Sequence, residues 1–312
     1  MIPFSLPAPL MLWIEPSALC NLDCPGCPTA SGRGNGIMSL ERFTEILGKI
    51  PRTVRLLNLW HRGEPLACYD FPEMVALATA RGIKTQTHTN GTLLAKKDFA
   101  TRIVRAGLTR ISIAVDSADE QTFSMVRKGG RLSDVADGIK AITEARAKAG
   151  ARYPQIHIEC LVANQTPEQL RAVKEVALGW GADQVKFKTY RVTSLTNLIS
   201  ANAILPADER FRRYKLEGDR LVTKRKHQGC ARLAWSAVIA FNGDVLCCCF
   251  DANGEHVLGN ILNQSWGEIW RGEKAKQFRK NVMPGNHGNK PSICSNCTEG
   301  LDRLYIPDRE LF

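Results

Sequence analysis

From Leu12 to Tyr190, short runs with strand character alternate with stretches whose apolar residues recur every three or four positions. The strand candidates are LWIE, VRLLNLW, IKTQTHT, RISIAVD, QIHIECLV and QVKFKTY. Between them lie helical patterns such as LERFTEILGKI, FPEMVALATAR, FATRIVRAG and LSDVADGIKAITEARAKAG. Repeated βα units imply a parallel sheet, and six of them are too few for a complete eight-fold barrel. The strands are two-sided. Ile156, Ile158 and Cys160 share one face while His157 and Glu159 share the other; Ile111, Ile113 and Val115 oppose Ser112, Ala114 and Asp116; Val185 and Phe187 oppose Lys186 and Lys188. A doubly wound sheet, covered by helices on both faces, would be apolar throughout its central strands. The expected fold is therefore α/β: a partial (β/α)6 barrel with a wide polar lumen, over residues 1–204. After about Leu205 the alternation stops. AWSAVIAFNGDVLC predicts a hairpin turning at Asn242-Gly243, within a small C-terminal α+β module over residues 205–312. No internal repeat or low-complexity tract interrupts this plan.

Composition narrows the setting. The 312 residues are 44% hydrophobic, with no run long enough to span a bilayer, so no membrane partner is expected. The N-terminal MIPFSLPAPLML lacks a basic leader and a cleavage site and suits a lead-in to the first strand. Eleven cysteines, an odd and high count without a secretion signal, point to metal or redox chemistry in the cytoplasm. The formal charge of +11 raises the question of nucleic acid. Its densest run, TKRKHQ from Thr223 to Gln228, is short, and nothing resembles a helix-turn-helix, an RRM or a zinc finger. A solvated basic face is the expectation, with no nucleic-acid partner. The glycines of SGRGNG, Ser31 to Gly36, form a loop without the Lys-Ser/Thr of a phosphate cradle.

Directly after the first strand comes CNLDCPGCP, with Cys20, Cys24 and Cys27. Loops at the C-terminal ends of such strands are where chemistry gathers. A structural zinc or an ordinary ferredoxin-type cluster would want a fourth protein ligand. Three thiolates leave one iron of a [4Fe–4S] cluster open. These residues resemble the radical S-adenosylmethionine (SAM) superfamily, whose hallmark is this spacing at this place. The resemblance implies that the open iron chelates SAM, and that one electron cleaves the sulfonium to a 5′-deoxyadenosyl radical that abstracts a substrate hydrogen. It implies an external electron donor such as flavodoxin or ferredoxin. Gly63-Glu64-Pro65 looks like the superfamily's GEP element at the SAM amino group. Thr89-Asn90-Gly91 looks like its TNG, and Asp116 and Ser117 occupy a position that often meets the SAM ribose or the substrate. Gly26 departs from the pattern, which usually has an aromatic residue before the third cysteine.

The C-terminal module resembles the shortened auxiliary-cluster, or twitch, domain of the radical SAM/SPASM group. In that pattern one cysteine precedes the hairpin and another follows the turn glycine after four residues, which leads from Gly243 to Cys248. The resemblance implies a second [4Fe–4S] cluster on Cys230, Cys248, Cys294 and Cys297. No cysteine follows Cys297, so two clusters are expected; a zinc site on the same four ligands is the alternative. In NGDVLCCCFD this leaves Cys247 and Cys249, which sheet-like alternation would point together, away from Cys248. Both could be small buried hydrophobes, as expected of Cys68 and Cys160. One could instead face the substrate, where a weak S–H bond gives a hydrogen atom to the opposite face of a carbon radical and inverts it.

That arrangement is most similar to the superfamily's aminoglycoside epimerases, which convert neomycin C into neomycin B, and it marks Cys249 as the catalytic donor ahead of Cys247. The auxiliary segment is also similar to that of aminocyclitol dehydrogenases, which lack a cysteine after the cluster ligand. The expected partner is thus a small molecule, an aminoglycoside or aminocyclitol. A peptide-modifying maturase is less expected, since the barrel starts almost at Met1; an iron–sulfur or zinc regulator of nucleic acid is the alternative outside catalysis. A polycationic substrate needs a locally acidic pocket in a chain of charge +11. Asp116, Glu159 and Asp251 are candidates to supply it, and His88, His157 and Lys188 are candidates to line the cavity. His61 and Arg62 are expected only to shape the GEP loop.

Overall fold

Six strands run parallel and in sequential order: β1 (Met11–Ile14), β2 (Leu56–Asn58), β3 (Lys84–Thr89), β4 (Arg110–Ala114), β5 (Gln155–Val162) and β6 (Gln184–Thr189). This is a computed structural model, and it describes residues 8–27, 29, 35–96, 98–191, 205–206, 208–218, 220–224, 229–282, 290–295, 297–298 and 304–312. The order has no reversal point, so the sheet curves as an open barrel and not as a doubly wound sheet. Helices α1 (Leu40–Lys49), α2 (Phe71–Ala80), α3 (Phe99–Ala106), α4 (Glu120–Val126), α5 (Leu132–Lys148) and α6 (Pro167–Gly179) lie between the strands. Local chemistry sets their starts: Ser39 caps α1, and Thr166 with Gln169 forms a capping box on α6.

One face of the sheet is the core. Leu12, Ile14, Leu57, Ile111, Ile113, Ile156, Ile158, Cys160 and Phe187 pack in one cluster with Phe43, Ile46, Met74, Ile103, Val135, Ile139, Leu170 and Val173 from the helices. The opposite face carries Trp13, Asn58, Trp60, Gln86, His88, Arg110, Ser112, His157, Glu159, Lys186 and Lys188 at the alternate positions. The polar lumen expected from the alternation is therefore present. Across its floor Arg110 donates to Gln86, and Gln86 donates to Asn58.

The sheet does not end with the barrel. β9 (Ser236–Ile239) pairs in parallel with β1, and β10 (Asp244–Leu246) and β11 (Val257–Asn260) continue outward antiparallel. Gly243, at φ 87°, makes the expected hairpin turn between β9 and β10. At the other edge β12 (Tyr305–Ile306) pairs antiparallel with β6. β7 (Tyr214–Glu217) and β8 (Arg220–Thr223) form a separate two-stranded sheet. The auxiliary hairpin thus extends the barrel sheet instead of sitting apart from it. The expected boundary at 204, most of SGRGNG and most of TKRKHQ lie outside the described residues. Among the described residues, no helix is long and apolar enough to cross a membrane.

Candidate active site

Cys20, Cys24 and Cys27 stand on the loop between β1 and α1. Cys27 N–H donates to the Cys24 carbonyl at 3.2 Å across Pro25-Gly26, and Gly26 has φ 71°. That is the arrangement of a type II turn, with Pro at its second position and Gly at its third. An aromatic residue would be strained at that backbone, which accounts for the departure from the usual pattern. Burial pushes the Cys20 thiol up to about 11, and Cys24 and Cys27 lie close enough to raise it further. The Leu22 amide reaches Cys20 Sγ at 3.4 Å, and Asn90 Nδ2 reaches it at 3.8 Å. Three mutually repelling sulfurs with N–H donors aimed at one of them fit a cationic iron–sulfur group, which would hold all three as thiolates.

The GEP and TNG elements are tied to each other and to that loop. Glu64 is buried, and its carboxylate accepts from Thr89 Oγ1 (2.6 Å), the Asn90 amide (2.8 Å) and the Leu66 amide (3.0 Å). Burial raises this carboxyl, against those three donors. Pro65 opens the short 3-10 turn that Glu64 caps. Gly63 lets the loop lie on the backbone of Ser17 to Leu19. Asn90 bridges to the Asn21 side chain (2.9 Å) and accepts from Thr92. Through these bonds the ends of β2 and β3 hold the cysteine loop in place.

Asp116 and Ser117 are engaged within the protein. Arg127 at the end of α4 meets Asp116 Oδ2 at 2.6 Å, and the Leu161 amide donates to Oδ1 at 2.9 Å. Arg127 also reaches the Cys24 thiol, so one guanidinium serves the ion pair and the cysteine loop. Ser117 Oγ closes a local turn by accepting from the Asp119 amide at 3.0 Å. Asp251 is fully buried and accepts from the Glu255 and His256 amides at 2.8 and 2.9 Å. Its carboxylate fixes the turn after the three cysteines and does not line the lumen. Glu159 does line it, shared among Lys188 (3.3 Å), His88 (3.7 Å) and the Tyr305 hydroxyl (3.4 Å). Burial raises Glu159, but His88 and Lys188 outweigh it and hold the carboxyl below its usual range. Burial holds His88 below the ordinary imidazole value. With Lys186 and Arg110 beside them, the lumen walls carry more positive than negative charge. Asp116, Glu159 and Asp251, expected to supply an acidic pocket, each have partners within the protein.

The three adjacent cysteines part company. β10 ends at Leu246 after a register shift at Val245/Leu246, and Cys247 to Phe250 form a turn, with the Asp251 amide donating to Cys248 O at 3.1 Å. The alternation that would place Cys247 beside Cys249 therefore never applies. Cys247 is buried in the main core, where burial raises its thiol far above the usual range. Cys230, Cys248 and Cys294 pack half-buried against the edge of the same core, and Cys297 N–H donates to Cys294 O at 3.3 Å. Cys294 is raised to about 12 by burial, with Cys297 and Cys230 adding to it. The Phe250 amide reaches Cys248 Sγ at 3.4 Å. Cys294 thus lies within electrostatic reach of Cys230 and Cys297, and soft donors of this kind suit an iron–sulfur cluster.

Cys249 lies on the other side, in the lumen-facing cluster with Trp13, Trp60, Val238, Leu246 and Val257. Arg232 Nη1 is 3.1 Å from Cys249 Sγ, and His61 Nε2 meets the Cys249 carbonyl at 3.2 Å. Hydrogen bonding from the Cys248 thiol, with Arg232 and His61 assisting, lowers Cys249 to about 6. A metal on Cys248 would remove that thiol proton and leave a negative sulfur beside Cys249, which favours its protonated form.

Several residues of this region carried no sequence motif. Glu15, fully buried at the end of β1, lies 3.5 Å from His61 Nδ1 and 3.9 Å from Arg62 Nε, and accepts from the Phe241 amide at 3.2 Å. His61 and Arg62 therefore join the GEP loop to the auxiliary hairpin, beyond shaping their own loop. Arg191, just after β6, stacks on Phe250 at 3.9 Å from the ring centroid, within electrostatic reach of Cys248 and Cys297. Only Glu15 had a signal, as a carboxylate closing the first strand.

The chain is similar to several known proteins. The chain is 25% identical over 313 residues to mycofactocin maturase MftC of Mycobacterium tuberculosis, spanning 94% of this chain and 76% of that protein. Its fold is that of BtrN in complex with AdoMet and 2-DOIA, at a TM-score of 0.56 and 18% identity over 93% of each chain. It also matches Streptococcus suis SuiB bound to precursor peptide SuiA, at a TM-score of 0.65 and 17% identity, over 88% of this chain and 67% of that one. Residues 230–298 match the SPASM family, an iron-sulfur cluster-binding domain, which sets aside zinc at the auxiliary cysteines. With residues 14–170 matching the Radical SAM superfamily model, the chain belongs to that superfamily, an enzyme of SAM and [4Fe–4S] clusters with a SPASM domain.

Proposed function

We propose that the enzyme is an epimerase that inverts one ring carbon of an aminoglycoside, in the manner of neomycin C to neomycin B, with Cys249 as hydrogen-atom donor. The observation that carries this reading is the place of Cys249. Of three consecutive thiols it is the one in the lumen-side cluster, while Cys247 is core and Cys248 packs against the edge of that core. SAM and the cluster held by Cys20, Cys24 and Cys27, when bound, supply the 5′-deoxyadenosyl radical that takes a hydrogen atom from the substrate carbon. Cys249 then gives its S–H hydrogen to the opposite face of that carbon. A sulfur radical is left, and one electron and one proton restore the thiol. The electron comes from a reductant such as flavodoxin or ferredoxin, and Arg232 is placed to balance charge on the reduced sulfur. All eleven cysteines are free of disulfides, which suits the cytoplasm.

Two other readings share the barrel. A dehydrogenase of an aminocyclitol or sugar alcohol would send the substrate electron to the auxiliary cluster and use no thiol. A peptide maturase is favoured by the names of the mycofactocin and SuiB relatives. Anaerobic incubation with neomycin C and aminocyclitols in D2O separates the three. Solvent deuterium at an inverted carbon supports the epimerase, an oxidised product without it the dehydrogenase, and no change in any sugar the maturase. Cys249→Ala should still form 5′-deoxyadenosine but little inverted product. Normal inversion by that variant would overturn the donor role.

A further inference from the structure

We infer that Trp60 is the stacking platform that holds the sugar ring with one fixed face toward Cys249. The inference rests on the epimerase reading and adds the element that makes inversion possible. An inverting enzyme must take hydrogen from one face of a carbon and return it to the other. A ring free to turn over would receive its hydrogen on the face that lost it, so something must lock the face. Ion pairing is poorly suited to that task here. Asp116 is held by Arg127, Asp251 is buried in its turn, and Glu159 is shared among Lys188, His88 and Tyr305.

The aromatic wall is suited to it. Trp60 lies just beyond β2 at the mouth of the lumen, half-buried, with its ring edge-on to Trp13 (centroids 6.4 Å apart, planes at 77°). Its other neighbour is His88, with centroids 6.5 Å apart and planes tilted by 42°. Trp13 is 8% exposed and carries the Arg232 guanidinium at 5.4 Å from its ring centroid, and Arg232 in turn touches Cys249 Sγ. Cys249, Trp13 and Trp60 belong to one apolar cluster. Trp60 is thus a partly uncovered indole that shares a cluster with the thiol and neighbours His88, which contacts the Glu159 carboxylate. A six-membered sugar ring has the matching chemistry: axial C–H bonds form an apolar face, and hydroxyls or ammonium groups at the rim reach polar partners. An indole offers a flat apolar surface of that size.

The test compares anaerobically reconstituted wild type, Trp60→Phe and Trp60→Ala, each with SAM and neomycin C. Equilibrium dialysis gives sugar affinity, and iron and sulfide content reports folding and cluster assembly. Trp60→Ala should keep its iron and sulfide and bind the sugar at least tenfold more weakly. It should also form less inverted product per 5′-deoxyadenosine in D2O. Trp60→Phe, which keeps a flat ring, should stay within about threefold of wild type. Wild-type affinity in an iron-loaded Trp60→Ala overturns the platform. Loss of iron from Trp60→Ala moves the decision to Trp60→Leu, which fills the space without a flat face and should bind as weakly. If wild type binds the sugar but puts no deuterium on an inverted carbon, the epimerase reading fails while the binding difference still tests the platform. If wild type binds no sugar, both fall.

Discussion

Replacing Gly63 by alanine tests whether the GEP loop positions the cysteine loop. An alanine Cβ would stand 2.5 Å from Ser17 O and 2.6 Å from the Ala18 carbonyl carbon, and closer still to Leu19 O. All three are backbone atoms, so no rotamer change relieves the overlap. Leu19 O also accepts the Glu64 amide at 2.8 Å, and Leu19 directly precedes Cys20. Overpacking of this kind costs about 1–3 kcal/mol, and losing the Glu64–Leu19 bond adds about 1 kcal/mol. At about 2.1 cal/mol/K of unfolding entropy per residue, a 312-residue chain loses roughly 1.5 °C per kcal/mol. The expected fall in unfolding midpoint is therefore about 3–6 °C. SAM affinity should drop about tenfold as the GEP loop and Cys20 move apart. Thermal unfolding of the anaerobic holoprotein and equilibrium dialysis with SAM provide the measurements. Gly48→Ala is the control: it lies in α1 with nothing within 4 Å of the added carbon, so it should be neutral or mildly stabilising. A Gly63→Ala protein with a midpoint within about 1 °C of wild type and unchanged SAM affinity would refute the reasoning.

Two further outcomes follow from the same geometry. Cys248→Ala should lose about half of the bound iron, whereas Cys247→Ala should keep it and lose only about 1 kcal/mol of packing; equal iron in both variants would contradict the division of the turn. Burial, with Lys186 and Arg110 nearby, holds His157 down to about 4. Folding therefore favours its neutral ring, and stability is lost as pH falls from the unfolded value near 6.5 toward about 4. After allowance for solvent screening, wild type should lose about 1 kcal/mol more than His157→Gln between about pH 7.5 and 5.5, measured by urea denaturation. Parallel pH profiles would remove His157 from the account.

Local pattern carried most of the barrel. QIHIECLV is β5 residue for residue, and the helical pattern beginning LERF becomes α1, because strand and helix periodicity are properties of neighbouring residues. The cysteine loop, GEP and TNG were equally legible, each being a short segment at a strand end. The facing of the three adjacent cysteines was not. Alternation holds only while a strand continues, and β10 stops one residue before Cys247. What stops it is the turn fixed by Asp251, four residues beyond Cys247 and fully buried. The placement of Trp60 and Arg232 was hidden for another reason. It depends on β9 pairing with β1 across more than two hundred residues of chain, and no local spacing encodes that pairing.

On the epimerase reading proposed above, the same pairing gives the three consecutive thiols different surroundings. A hydrogen-atom donor is used up in each turnover and must be restored by an electron, so it serves best next to a residue that can pass one on. It must also stay off the metal, since a ligated sulfur carries no S–H. On the epimerase reading two residues adjacent along a turn meet both demands: Cys248 packs against the edge of the core while Cys249 joins the lumen-side cluster, with their sulfurs in hydrogen-bond contact. A regular strand there would put Cys249 on the side of Cys247, away from Cys248. The early end of β10 and the β9–β1 pairing together set Cys248 against the core and Cys249 next to it on the lumen side. Cys247, inside the core, is the residue that packing alone accounts for.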